Sequence, residues 1–313
     1  MHAPDSVIRM KNIIASLSIG LALVSFPSWA ADFDKGLAAH QNGDFESALR
    51  EWTPLAEQGH SVAQSNLGTM YYTGRGVSRD YKTAVKWLTL AAEQGHVIAQ
   101  YNLGIMYHNG EGVSQDYKVA VEWYTRAAEQ GDPSAQFNLG VMYDFGEGVS
   151  QDYKVAVEWY TRAAEQGDPS AQFNLSNSYY YGEGVSKDDK AAVKWLTRAA
   201  EQGHDKAQSN LGVLYDTGTL VSQDYKTAVK WLTLAAEQGN IRAQNNLGAM
   251  YHHGNGVLQD NLYAHMWWNI AASNGNKNAA KNRDIISNKM TPSQVEKAQD
   301  LARECVAKNF KDC

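Results

Sequence analysis

The stretch Gly110–Leu139, GEGVSQDYKVAVEWYTRAAEQGDPSAQFNL, recurs letter for letter at Gly146–Leu175. An active site is a single asymmetric constellation, so duplicating the block around it adds mass without chemistry. A structural unit that stacks on its own copies does gain from duplication. Outward from this block, Trp87, Trp123, Trp159, Trp195, Trp231 and Trp267 fall 36 residues apart, and so do the Ala-Gln pairs that begin at Ala63-Gln64 and end at Ala243-Gln244. Six full units therefore occupy 61–276. A shorter pair with Trp52 at the tryptophan position occupies 31–60, and a divergent tail runs over 277–313.

The unit Ser61–His96 reads as two helices. Ala63, Leu67, Met70 and Tyr71 share one helical face. Gly68 removes the side chain beside Leu67 and admits a neighbouring helix. Gly74 and Gly76 mark a turn, Asp80 is placed to cap a second helix, and Tyr81, Ala84, Val85, Leu88, Ala91 and Ala92 form its apolar face with Trp87 alongside. Gly95 ends that helix, and in later units Gly131-Asp132-Pro133 supplies a stop, an N-cap and a first-turn proline. Two helices with faces this broad cannot bury them alone, so pairs must stack. The predicted fold is all-α, a solenoid of antiparallel helix pairs.

The pattern Ala-Gln…Asn-Leu-Gly…Tyr, Gly-x-Gly-Val, Asp-Tyr-Lys…Ala…Trp…Ala-Ala-Glu-Gln-Gly resembles the Sel-one-like repeat, a relative of the tetratricopeptide repeat. The resemblance covers all six units and, more loosely, the first short pair. In MTPSQVEKAQDLARECVAKN it extends to a terminal helix like those that close such arrays. It implies a right-handed superhelix, capped at its C-terminus, that serves as an adaptor for a protein or peptide. Two departures stand inside the array: Ser176 replaces the helix-packing glycine, and Thr219-Leu220 follows Gly218 where a second loop glycine belongs.

The ends of the chain carry separate signals. Arg9 and Lys11 precede an apolar run, Ile13–Phe26, and Ser28-Trp29-Ala30 fits a signal-peptidase site, so 1–30 reads as a signal peptide with cleavage before Ala31. Met10 would start a more compact signal than Met1. The apolar run is shorter than the ~20 residues of a bilayer span. The mature chain is therefore expected in the periplasm or outside the cell, with no stable membrane insertion. Export lets Cys305 and Cys313, the only cysteines, form a disulfide that staples the tail.

The formal net charge of -6, with no lysine or arginine cluster, argues against nucleic acid as a partner. No nucleophile elbow, phosphate loop, His-Glu-x-x-His or Cys-x-x-Cys occurs. His252 and His253, with His108 at the position equivalent to His252, are neighbours that point about 100° apart on a helix and do not share an ion easily. The carboxylates of AAEQGD and DYKVAVE recur in nearly every unit, as caps and solvated faces do. No cofactor, metal or catalytic group is expected. The alternative, a penicillin-binding or β-lactamase activity described for cysteine-rich relatives, meets repeats without cysteine and a chain without Ser-x-x-Lys.

Positions that vary between units suggest a function. Starting from Ser65, Tyr101, Phe137 and Phe173, the first helices vary again four, seven and eight residues on, which is one helical face. Tyr72, Tyr101, His108, Phe137, Val141, Asp144, Phe173, Tyr180, Asp216 and His252 on it are the expected partner-binding residues of a concave wall, since aromatic anchors among a few charges suit a peptide. The competing reading is that these aromatics pack between units. Because the duplicated blocks are identical, excising Gly110–Phe145 should leave a shorter array that still unfolds cooperatively in urea. Loss of the cooperative transition would overturn the repeat reading.

Overall fold

The computed structural model describes residues 29–311 and 313, with side chains from 33 onward; the expected signal peptide lies outside them up to residue 28. Among the described residues there are sixteen helices and no strand. The six repeats are the pairs α3 (Ser61–Thr73) and α4 (Tyr81–Glu93), α5 (Val97–Asn109) and α6 (Tyr117–Glu129), α7 (Pro133–Phe145) and α8 (Tyr153–Glu165), α9 (Pro169–Tyr181) and α10 (Asp189–Glu201), α11 (Asp205–Thr217) and α12 (Tyr225–Ala236), and α13 (Ile241–His253) and α14 (Asn261–Ser273). They are preceded by α1 (Trp29–Gln41) and α2 (Phe45–Glu57) and followed by α15 (Lys277–Ser287) and α16 (Pro292–Ala307). The chain divides into two compact units, one ending at Ala163 and one beginning at Ala164. Within each, helices pack on their neighbours along the chain, as an α-solenoid requires, and at the end α15 and α16 both pack on α14.

Helix ends are set by side chains that satisfy the first-turn amides. Asp80, Asp116, Asp188, Asp224 and Asp260 cap the second helices, each accepting from two amides; Asp80 Oδ1 takes those of Lys82 and Thr83 at 3.0 and 3.2 Å. The first helices use a mixed set. Asp132 and Asp168 serve as expected, but Asn240, Asn276 and three histidines, His60, His96 and His204, do the same work, the histidines through Nδ1.

Close approach then builds the core. A Cβ on Gly104 would lie 2.5 Å from the Tyr124 ring, and one on Gly140 would lie 2.6 Å from Tyr160, so glycine sets how near the helices of a pair come. In the loop, Gly112 has φ 75°, and a Cβ there would fall 2.4 Å from the carbonyl oxygen of Tyr81, one repeat back. Ala84, Leu88, Ala91 and Ala92 are buried as the sequence pattern predicts. The half-buried Trp87 and Trp123 lean onto the core between their own first helix and the second helix before it. On their outer side, Arg126 lies 4.6 Å from the Trp123 ring centre and Arg162 lies 4.3 Å from that of Trp159.

A buried glutamine ladder joins pair to pair. In every repeat the glutamine of the Ala-Gln pair donates to the carbonyl of the last alanine in the preceding second helix, as Gln100 does to Ala92 at 3.0 Å and Gln208 to Ala200 at 3.0 Å. In four repeats its own amide oxygen accepts from the Glu-Gln-Gly glutamine thirty residues on: Gln94 to Gln64, Gln130 to Gln100 and Gln202 to Gln172 at 2.7 Å, Gln238 to Gln208 at 2.8 Å. Asn274 stands at the end of this series, one methylene short, and Gln244 Oε1 is left without a donor among the described residues.

At the C-terminus, Thr291 and Gln294 form a capping box for α16, and a disulfide joins Cys305 to Cys313 with Cα atoms 5.4 Å apart. The turn between them passes through Asn309 and Phe310, both at positive φ, and sets the Phe310 ring beside Gly239. Lys311 pairs with Glu237 at 3.8 Å, so the bridged tail clasps the turn after α12.

Two stability predictions follow from these contacts. Gln100→Glu should destabilise by about 2 kcal/mol at neutral pH, because an ionised carboxylate cannot donate to Ala92. Protonation restores the donor, so in the folded state the new carboxyl titrates above its ordinary ~4.3. The deficit relative to the parent should vanish below that value and grow as pH rises, as urea titrations at several pH values would reveal.

The histidine caps behave in the opposite sense. Burial, then the charge of His60, holds His96 below its ordinary 6.5, and burial also lowers His204. Below pH 6.5 the unfolded chain takes up protons that the folded caps exclude. Their contribution is thus complete above 6.5 and is lost as pH falls toward the folded values. His96→Asn with His204→Asn, the residue type of the later repeats, should flatten the stability profile between about pH 7 and 5. An unchanged slope would show that the caps do not titrate in this way.

Candidate binding face of the first helices

The variable face divides into an inner and an outer part. At its first two positions side chains point into the packing. Ser65 and Ser209 are buried, as is Ile105, and Tyr101 and Val141, both expected to meet a partner, are only 6 % and 5 % exposed. Tyr101 lies against Tyr124, its ring centre 6.1 Å away, in the core shared by α5, α6 and α7. The reason is geometric: these positions lie mid-helix, where the array closes over them, whatever their freedom to vary.

Phe137 and Phe173 occupy the same position and are half-buried. Phe137 packs near Tyr160, at 6.0 Å, and Phe173 stacks on His204 at 4.8 Å. Each therefore rests against its own unit and offers a partner only part of its ring.

The two positions in the last turn of the first helices reach further out. In the first unit Tyr72 donates from its hydroxyl to Glu111 at 2.9 Å, and His108 Nε2 lies 3.2 Å from Glu147, in both cases the acid in the Gly-Glu-Gly loop of the next repeat. Burial, reinforced by the Glu111 carboxylate, pushes the Tyr72 hydroxyl well above its usual range. Asp144 instead accepts from the Tyr160 hydroxyl at 3.0 Å. In the second unit Tyr180 is 37 % exposed, with Lys187 5.4 Å from its ring centre. Burial raises the Asp216 carboxyl and the charge of His253 partly opposes it, while His252 packs on Trp268 at 5.6 Å.

Beside these residues, the eighth position carries the exposed aromatics. Phe145 is 49 % exposed and Tyr181 is 67 % exposed. Sequence reasoning placed both on the variable face without choosing them, because spacing does not separate a ring that packs from one that projects beyond the helix end. No group of three or more His, Cys, Asp or Glu among the described residues could hold a metal ion. No helix among them is long and apolar enough to cross a membrane.

Compared with known protein families, the chain matches the Sel1 repeat six times, over residues 61–96, 97–132, 133–168, 169–204, 205–240 and 241–276. The crystal structure of a Sel1 repeat protein from Oxalobacter formigenes is similar at 33 % identity and a TM-score of 0.70, covering 77 % of this chain and 96 % of that one. Another, c5321, a protective antigen present in uropathogenic Escherichia coli strains and displaying an SLR fold, is 27 % identical with a TM-score of 0.52, covering 90 % of this chain and 85 % of that one. No curated protein matches the chain. Sel1 repeat proteins generally act as protein-interaction scaffolds. With six consecutive repeats matched in the frame that the tryptophans set, the chain belongs to the Sel1 repeat family.

Proposed function

We propose that the protein is an exported, non-enzymatic scaffold whose first-helix faces hold a protein or peptide partner. The observation that supports this reading best is the placement of exposed aromatics, Phe145 in one unit and Tyr181 in the other, at the ends of first helices whose inner variable rings, Phe137 and Phe173, pack on Tyr160 and His204. Large rings left in water cost ~25 cal/mol per Å² of apolar area, a cost that a partner's surface removes. Tyr72, His108 and Asp144 then serve to hold the neighbouring loops and rings in register, while Tyr180 packs edge-on to the exposed Tyr181 ring at 4.9 Å and Asp216 and His252 occupy the equivalent turns of the next two first helices. The signal-like N-terminus supports export, and the lack of a repeated cysteine framework and of Ser-x-x-Lys leaves the β-lactamase alternative without support in the residues.

Crosslinking intact cells with a membrane-impermeant reagent tests both parts. The parent should be captured with a defined partner, and Phe145→Ser with Tyr181→Ser should reduce that capture at least tenfold, equivalent to about 1.4 kcal/mol, while the melting temperature stays put because both rings are exposed. Capture only by a permeant reagent would refute export and leave binding standing. Undiminished capture by the double variant would move the binding surface off the first helices.

A further inference from the structure

The second unit contains a pocket of about 320 Å³ between α9 and α11, with α10 as its floor. That volume lies at the lower end of the ~300–1,000 Å³ typical of ligand sites. Its position coincides with the departures from the repeat. Ser176 lines it where five other repeats have glycine, and there an added Cβ would collide with the facing Leu88, Tyr124, Tyr160, Leu232 or Trp268 at 2.5–2.7 Å. Ser176 does carry a Cβ, and its hydroxyl bonds the Ala192 carbonyl at 2.8 Å. The helices of this pair must therefore stand further apart, and Leu196 on the floor is 5 % exposed where Leu88 and Leu232 are at 0 %.

Leu220 forms the rim. It occupies the second loop-glycine position at φ 63°, where Gly112, Gly148 and Gly256 press against the carbonyl of a tyrosine one repeat back, leaving 2.3–2.4 Å for a Cβ. A leucine cannot approach that closely. The corresponding tyrosine is also missing, replaced by Asp189. Two substitutions, Ser176 and Leu220, thus line one gap: a wedge in the helix pair and a loop held off by its own side chain.

The lining indicates what the gap accepts. Val193, Leu196, Val213 and Leu214 make an apolar floor and wall, while Tyr181 and Leu220, 67 % and 37 % exposed, stand at the mouth. Across the opening, the Arg242 guanidinium donates to Asn210 Oδ1 at 3.2 Å and makes no ion pair among the described residues. The pocket is open at the surface, so it suits a side chain lowered from a chain lying across it. We propose that it receives one aromatic or large aliphatic side chain of a peptide, with an adjacent carboxylate of that peptide paired to Arg242. This rests on the interaction-scaffold reading and names the chemistry that the second unit selects.

The test is selection of displayed random heptapeptides on the full-length protein, followed by affinity measurement with synthetic copies of those recovered. Sequences placing Phe, Tyr, Trp or Leu within two positions of Asp or Glu should be enriched. Arg242→Gln should weaken such a peptide at least tenfold while leaving unchanged the binding of its amide version, with Asn for Asp or Gln for Glu. Ser176→Gly with Leu220→Gly restores the repeat's glycines and should abolish binding without lowering the melting temperature, which separates loss of the pocket from loss of the fold. Enrichment of no such class, or peptides that bind both variants as well as the parent, would overturn the proposal. Peptides lost only with Phe145→Ser would sink the pocket yet keep the scaffold reading. Pocket-dependent peptides that fail to compete with the native partner would keep the pocket and place that partner elsewhere.

Discussion

The buried glutamine ladder is the constraint on which the repeat architecture depends. A glutamine inside a helical stack must find both a donor and an acceptor, and an unmet amide costs about 1–3 kcal/mol. Here one amide, such as that of Gln100, satisfies a helix-terminal carbonyl on one side and receives the glutamine of the following repeat on the other. Apolar stacking alone tolerates sliding and rotation. A two-ended hydrogen bond repeated at fixed spacing does not, so the ladder fixes register where alanines and glycines fix distance.

This division of labour explains which parts of the fold are legible in the sequence. The period follows from Trp87 onward, the helix pairs from apolar spacing, and the close contacts from Gly68 and Gly104, because each depends on local pattern or residue size. The capping histidines are harder to see. His60, His96 and His204 act as acceptors only when neutral, and composition tables place histidine among ordinary polar residues; comparison with Asp132 and Asn240 at the same position reveals them. The pairing of one repeat's glutamine with the next is equally hidden, since thirty residues of chain separate the partners.

The variable face of the first helices was legible in outline and not in depth. Variation among units marks positions that the scaffold does not dictate, but it does not distinguish a side chain covered by a neighbouring helix from one facing water. Tyr101 and Val141 vary and are buried. Tyr181 varies and projects, because it sits in the last turn where no further helix residue covers it. Depth is a property of the assembled stack, so a single unit's pattern cannot carry it.

The same reasoning shows why irregularity can be tolerated in the second unit. In a solenoid, stability is approximately a sum of unit and nearest-neighbour terms, so a local defect is confined to the pairs that share it. Leucine in a left-handed conformation costs roughly 1–2 kcal/mol, and Ser176 gives up a close helix contact. A globular core would transmit such strain throughout, whereas here α12 and α13 repeat the ordinary packing, with Leu232 and Leu247 buried like Leu88 and Leu67. The regular repeats thus supply a surplus of order from which one gap can be opened. Identity between two repeats and departure in the next two are complementary, because uniform units give length while the irregular ones open the gap that Ser176 and Leu220 line.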